Sequence, residues 1–238
     1  MSVIKTGREG AVATITLDRA AEGNLLTVES LRDLSDAFRD AGASDAKVIL
    51  LRGNGADFCR GRGGPGAPSP TALKMRRNVC EPILDVYDAV ASAPQPVVAV
   101  VQGAAHGFGC AMAGASDITI AHDNARFRLP EMEKDLPPTL AVSALMPRVP
   151  RKALAWMVYS MEELDARAAL GVGIVSKVAP SGEVEAELAR LLATMTARSP
   201  DALVAMKDFF RSAPHMEPRG MADYGANLLA SVLSSAGK

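Results

Sequence analysis

Residues 96–121, PVVAVVQGAAHGFGCAMAGASDITIA, constrain the fold more than any other stretch. Val97, Val98, Ala99, Val100 and Val101 form an unbroken apolar run, the pattern of a strand covered on both faces. Gly103, Gly107 and Gly109 follow within a few residues. They allow backbone angles, or a close approach of chains, that a side chain would obstruct. A helix start and a second short strand come next. A turn that hands backbone N–H groups to a helix start can hold a developing negative charge. The same turn also serves as a plain tight connection in an α/β core, and residue types alone leave both readings open.

The rest of the chain supplies alternating strand and helix signals. Residues 11–17 alternate, with Ala13, Ile15 and Leu17 on one face. Thr27 is a helix cap ahead of Leu31, Leu34, Phe38 and Ala41 at helical spacing, and Gly42 can end that helix. Residues 48–51 form a short apolar strand, so a crossover unit of strand, helix and strand begins here. Residues 53–70 hold six glycines and three prolines, too many for a routine connector. Arg60 and Arg62 lie in this loop and can meet phosphate or simply be solvated. Residues 72–93 predict a helix with Val79, Ile83, Val86 and Val90 inward and a kink or break at Pro82. Glu131 and Glu133 alternate if residues 126–135 are extended. Ser160 and Glu163 match a capping box, residues 174–178 a late strand, and residues 183–198 an amphipathic helix. Ser199 and Pro200 start another helix, and a last one covers most of 221–234.

Composition bounds the function. At 238 residues and 48% hydrophobic, the chain can bury a substantial core without disulfide or metal staples. The balance of 26 basic and 27 acidic residues, without a polybasic block, argues against nucleic acid and against acidic membranes. Cys59, Cys80 and Cys110 lack metal-ligand spacing, so no metal site is expected. No apolar run reaches membrane-spanning length. The polar opening MSVIKTGREG does not read as a secretory leader, which makes a reducing, cytoplasmic setting the expectation.

Four strings, in order, carry a resemblance: residues 19–26, DFCRGR at 57–62, residues 102–131, and ALGVGIVSKVAP at 169–180. Together they resemble the crotonase superfamily, the enoyl-CoA hydratase/isomerase family. The resemblance implies an α/β fold: a spiral of repeated strand–strand–helix units over residues 1–180, then a C-terminal helical region over 181–238. It also implies a homotrimer or hexamer, and a CoA thioester as substrate with no other cofactor. In that family two backbone N–H groups hold the thioester oxygen as an enolate forms. By motif position the resemblance puts them at Cys59 and Phe108. It also marks Arg19, Asn24, Arg60 and Arg62 as CoA-side residues.

This chain departs from the family pattern where acid–base chemistry is decided. Hydratases of the family carry one glutamate just after the glycine-rich turn and a second after a proline twenty residues on. The first position is Ala111 and the second is Glu131, in LPE. Gly63 replaces a familiar aspartate, and His106 stands where relatives are commonly apolar. One base suffices to move a double bond, whereas adding water usually needs two placed groups; neither Glu133 nor His106 matches the absent carboxylate by position. The expectation is therefore an enoyl-CoA double-bond isomerase using Glu131. A hydratase, another acyl-CoA lyase or hydrolase, or a non-catalytic acyl-CoA-binding subunit are the alternatives.

Overall fold

The computed structural model describes residues 2–63 and 71–235. The end of the glycine-rich loop, 64–70, lies outside the described residues. The main sheet has six strands in the order β1-β2-β3-β4-β6-β9: β1 (Ile4–Glu9), β2 (Val12–Leu17), β3 (Val48–Gly53), β4 (Val97–Val101), β6 (Ile118–His122) and β9 (Lys177–Ala179). Only the β1–β2 pair is antiparallel. β4 is buried at every position, as its apolar run requires, and lies between β3 and β6. β1 escapes the sequence reading because Ile4 is its one buried residue. A solvated edge strand has little hydrophobic signature.

A second, smaller layer runs beside the first. β5 (Ala104–His106), β7 (Arg126–Arg128) and β8 (Leu164–Asp165) form a three-stranded sheet. Isolated parallel bridges Cys59↔Ala105 and Leu26↔Arg62 extend it across the loops. β4 with β5, and β6 with β7, each give one strand to either layer. This is the strand–strand–helix repeat that the resemblance implies.

Helices close the faces. α1 (Val28–Ala43) begins at Thr27, whose Oγ1 accepts from the Ser30 N–H at 3.2 Å. It passes through Gly42 and stops at Ser44. Residues 72–92 form α2 (Ala72–Met75), a π turn at Arg76–Cys80, and α3 (Glu81–Ser92). The expected disturbance thus lies just before Pro82, which has no N–H to give the preceding turn and is fitted by widening it. α4 (Phe108–Ala115) and α5 (Thr139–Leu145) pack together, and every residue of α4 is buried. α6 (Arg151–Ser160) ends where the sequence predicts a helix start. The Ser160 hydroxyl donates back to the Trp156 carbonyl, and Asp165, not Ser160, caps α7 (Ala166–Gly171).

α8 (Val184–Thr196) buries Val184, Leu188 and Met195 against Val48, Leu50, Val98 and Val100. It therefore covers the second face of the main sheet, so residues 181–198 share a core with the part of the chain before them. α9 (Pro200–Ser212) and α10 (Pro218–Ser235) are attached differently. Lys207 is the one buried residue of α9, and α10 has none.

Candidate active site

The site is built where three backbone segments meet. The strand-like segment at 59–63 runs between β5 on one side and residues 23–26 on the other. Toward β5, the Cys59 N–H donates to Ala104 O at 3.0 Å and Cys59 O accepts from the His106 N–H at 2.9 Å. Toward the other flank, the Arg60 N–H donates to Gly23 O, the Leu26 N–H to Gly61 O at 3.1 Å, and the Gly63 N–H to Leu26 O.

These bonds correct one expectation. The Cys59 N–H is spent on Ala104 O and is not a donor waiting for a ligand. Its thiol is buried and turned to Asn24 O at 3.3 Å, and burial pushes it up to about 12. Cys59 is a framework residue. The peptide two bonds on has the right direction. In a trans peptide N–H and C=O point opposite ways, and Gly61 O faces Leu26. The Arg62 N–H therefore faces away from Leu26, toward the side where β5 leads into Phe108. Gly61 sits close to that side: a Cβ there would lie 3.1 Å from His106 O and 3.9 Å from Phe108 N. Its φ of +106° supplies the local reversal.

Phe108 is the first residue of α4, so its N–H has no intrahelical acceptor. It has no hydrogen-bond partner among the described residues. Gly109 lets the helix approach the loop, since a Cβ there would lie 2.2 Å from Cys59 O. Gly107, at φ +52°, does the same for the third segment. Its N–H donates to Arg128 O at 2.8 Å, and a Cβ on it would lie 2.7 Å from Glu131 Oε1. Glu131 opens a single 3₁₀ turn, Glu131–Lys134, instead of an extended segment. Its Oε2 is buried and unpartnered among the described residues. Burial raises its pKa, with its own backbone N–H opposing.

The glutamate beside it is excluded from this role. Glu133 is exposed and paired with Arg128. His106 turns to Glu163, Nε2 to Oε2 at 3.0 Å, so it is held within the small sheet. Ala111 is fully buried in α4. Tyr87, on α3, was not foreseen as a site residue. Its ring stacks on Phe108 with centroids 5.6 Å apart and planes at 15°. An aromatic at helical spacing after Ile83 was the available signal.

The residues expected on the CoA side separate into two kinds. Asn24 is fully buried at φ +55°. Its Oδ1 accepts from the Arg19 N–H at 2.8 Å, and its Nδ2 donates to Asn54 O and Asp57 O at 2.9 and 2.8 Å. It ties residues 19–26 to the loop after β3. Arg19 pairs with Glu22 at 2.5 Å, and Arg60 pairs with Asp57 at 2.9 Å while staying mostly exposed. The Arg62 side chain is half-buried near Cys80, and burial lowers its pKa. No group of three or more His, Cys, Asp or Glu that could hold a metal is found among the described residues. No helix there is long and apolar enough to cross a membrane.

The crystal structure of human enoyl Coenzyme A hydratase domain-containing protein 3 superposes with a TM-score of 0.92 at 24% identity, over 98% of this chain and 92% of that one. An enoyl-CoA hydratase from Mycobacterium smegmatis gives 0.92 at 23%, over 98% and 91%. These likenesses show the fold. In sequence, the chain is 33% identical over 217 residues to the 2,3-dehydroadipyl-CoA hydratase of Escherichia coli, covering 90% of this chain and 83% of that protein. It is 28% identical to the mouse mitochondrial enoyl-CoA hydratase domain-containing protein 3, over 88% of this chain and 70% of the relative. A sequence model described as enoyl-CoA hydratase/isomerase matches residues 7–236. The chain belongs to the enoyl-CoA hydratase/isomerase family.

Proposed function

We propose that this acyl-CoA enzyme moves the double bond of a 3-enoyl-CoA to the 2-position through a thioester enolate. The observation that carries this reading is the carboxylate of Glu131, packed against Gly107 with its Oε2 buried and unpartnered among the described residues, while position 111 is alanine. Glu131 takes a proton from the α carbon. The electron pair left behind spreads onto the thioester oxygen and the γ carbon. The protonated Glu131 then returns the proton to the γ carbon, and no atom is gained or lost. Phe108 donates one hydrogen bond to the oxygen, and the Arg62 N–H donates the other in place of Cys59. Donors fixed before the reaction favour the charged state over the neutral thioester.

Arg19, Arg60 and Arg62 are the cations we assign to the CoA phosphates, with Asn24 holding their loop. The hydratase reading stays second, favoured by relatives named as hydratases. Purified protein offered 3-enoyl- and 2-enoyl-CoA decides between them. Isomerisation of the first without hydration of the second supports the proposal. Hydration of the 2-enoyl thioester overturns it as an isomerase-only account. We also infer assembly into a trimer or a pair of trimers, and a reducing, cytoplasmic compartment suited to three free thiols.

A further inference from the structure

We propose that Arg128 is a positioning residue for the base: its side chain grips Glu133 in the turn that carries Glu131, while its own carbonyl grips the turn that leads into Phe108. This rests on Glu131 as the base of the reading above, and not on where the double bond moves.

The turn of Glu131 has little of its own to hold it in place. It is a single 3₁₀ turn of four residues, Glu131–Lys134, with no fully buried residue and no side-chain cap. Such turns hold together weakly, because their hydrogen-bond geometry is poorer than that of an α-helix. The bonds from the Glu133 N–H to Pro130 O at 3.0 Å and from the Leu136 N–H to Glu131 O at 3.2 Å stay within residues 130–136. They shape the turn without fixing it to the sheet. The chain enters it from Leu129, fully buried, and leaves through Leu136, 51% exposed, so its exit is the side that needs holding. Among the described residues, the side-chain hydrogen bond that ties the turn to a strand is the one from Arg128 to Glu133.

Arg128 stands where it can hold both turns. It is the last residue of β7, paired with His106 on β5. Its carbonyl accepts the Gly107 N–H at 2.8 Å, which fixes the entry to α4. Its Nε donates to Met161 O at 2.6 Å, and Met161, at φ +56°, closes α6. That bond orients the guanidinium and leaves Nη2 for Glu133. Between the two turns Glu131 Oε1 is packed tightly, since a Cβ on Gly107 would lie 2.7 Å from it. A swing of the Glu131 turn opens that contact and moves the carboxylate relative to the start of α4. Misplacing a reacting group by about 1 Å costs roughly 10²-fold in rate. Glu133 neutralises the guanidinium, and burial is the main influence on the Glu131 pKa, so Arg128 acts through place and not through charge. Both partners of the ion pair reach solvent, so it adds little to overall stability.

The test measures steady-state isomerisation of 3-hexenoyl-CoA, calorimetric binding of hexanoyl-CoA and thermal unfolding. The proteins are wild type, Glu133→Ala, Glu133→Gln, Arg128→Ala and the double variant Arg128→Ala with Glu133→Ala. Glu133→Ala is expected to lower kcat about 10- to 100-fold. Its hexanoyl-CoA affinity should stay within about twofold, and its Tm within about 2 °C, of wild type. Glu133→Gln, whose amide oxygen still accepts from Arg128, is expected to keep kcat within about threefold of wild type. Added to Arg128→Ala, Glu133→Ala is expected to cost nothing more, because the two act as one pair. Unchanged kcat in Glu133→Ala overturns the proposal. So does a Glu133→Gln as slow as Glu133→Ala, losses that multiply in the double variant, or a loss of affinity as large as the loss of kcat. Should wild type hydrate 2-hexenoyl-CoA instead, the isomerase step falls alone, and the same kcat ratios read on hydration decide this proposal.

Discussion

Glu131 ties activity and stability to pH in opposite senses. Burial raises its folded pKa above the ordinary 4.5. As the proposed base it would work only ionised, so turnover is expected to rise with pH through the raised value. The folded state binds the proton more tightly than the unfolded chain, so stability falls as pH rises from 4.5 through the folded pKa. Glu131→Gln keeps the shape and removes the charge. It should lower 3-enoyl-CoA turnover by about 10²–10⁴-fold with CoA-ester binding kept. It should also raise Tm by about 2 °C at neutral pH, an increment that disappears near pH 4. Solvent reaching the site keeps that shift small. Unchanged turnover would remove Glu131 as the base. The thiols make a second residue-scale prediction. Cys59 and Cys110 are buried and pushed up to about 12, whereas Cys80 is only half-buried. Brief iodoacetamide treatment followed by mass spectrometry should find Cys80 modified first and the other two protected. Motif position names Glu131 and Phe108, and the structure brings both beside Gly107. The misplacement at Cys59 was not avoidable there, because which peptide of DFCRGR faces the pocket depends on bridges to residues 23–26 and 104–106, far away in sequence.

At the scale of elements, the glycine-rich turn works by closeness of backbone. α4 can begin beside the loop only because position 109 has no side chain. Gly109→Ala would put a methyl 2.2 Å from Cys59 O, a backbone atom that cannot swing aside. We expect a loss of about 2–3 kcal/mol in urea unfolding, from overpacking. Activity should fall further than stability explains, because Phe108 moves away from Arg62. A variant with wild-type turnover would show that the turn tolerates a wider gap. Other elements were read well where amphipathic periodicity was strong: the Leu31, Leu34 and Phe38 stripe of α1, and Val184, Leu188 and Met195 in α8. The short strands β5, β7 and β8 were not read, since two or three residues carry no period. Ser160 shows the complementary error. A hydroxyl followed by glutamate three residues on looks like a helix start, yet here it closes α6 by bonding back to Trp156.

For the whole molecule, the C-terminal pair of helices poses a packing problem that the single chain does not solve. α9 is fastened by Lys207, 6% exposed, whose Nζ donates to Val90 O and Gln95 O at 2.9 and 3.0 Å and meets Asp117 at 3.0 Å. Clefts of about 570 and 680 Å³ flank it. Phe210, Leu229 and Leu233 are 67%, 61% and 66% exposed on α9 and α10. Apolar side chains at that density on two adjacent helices find cover in a further protein surface more readily than in water. The proposed trimer would supply that surface, and sequence periodicity alone cannot distinguish a face turned to the chain's own core from one turned to a neighbour. Leu229→Glu combined with Leu233→Glu places charges on this face without touching Lys207 or the Glu131 site. Sedimentation equilibrium should find wild type at three or six times the chain mass. The double variant should shift toward the single-chain mass, with its helical circular dichroism retained. A variant that keeps the wild-type mass would place the assembly surface elsewhere, and α10 would then lie at the rim of the molecule.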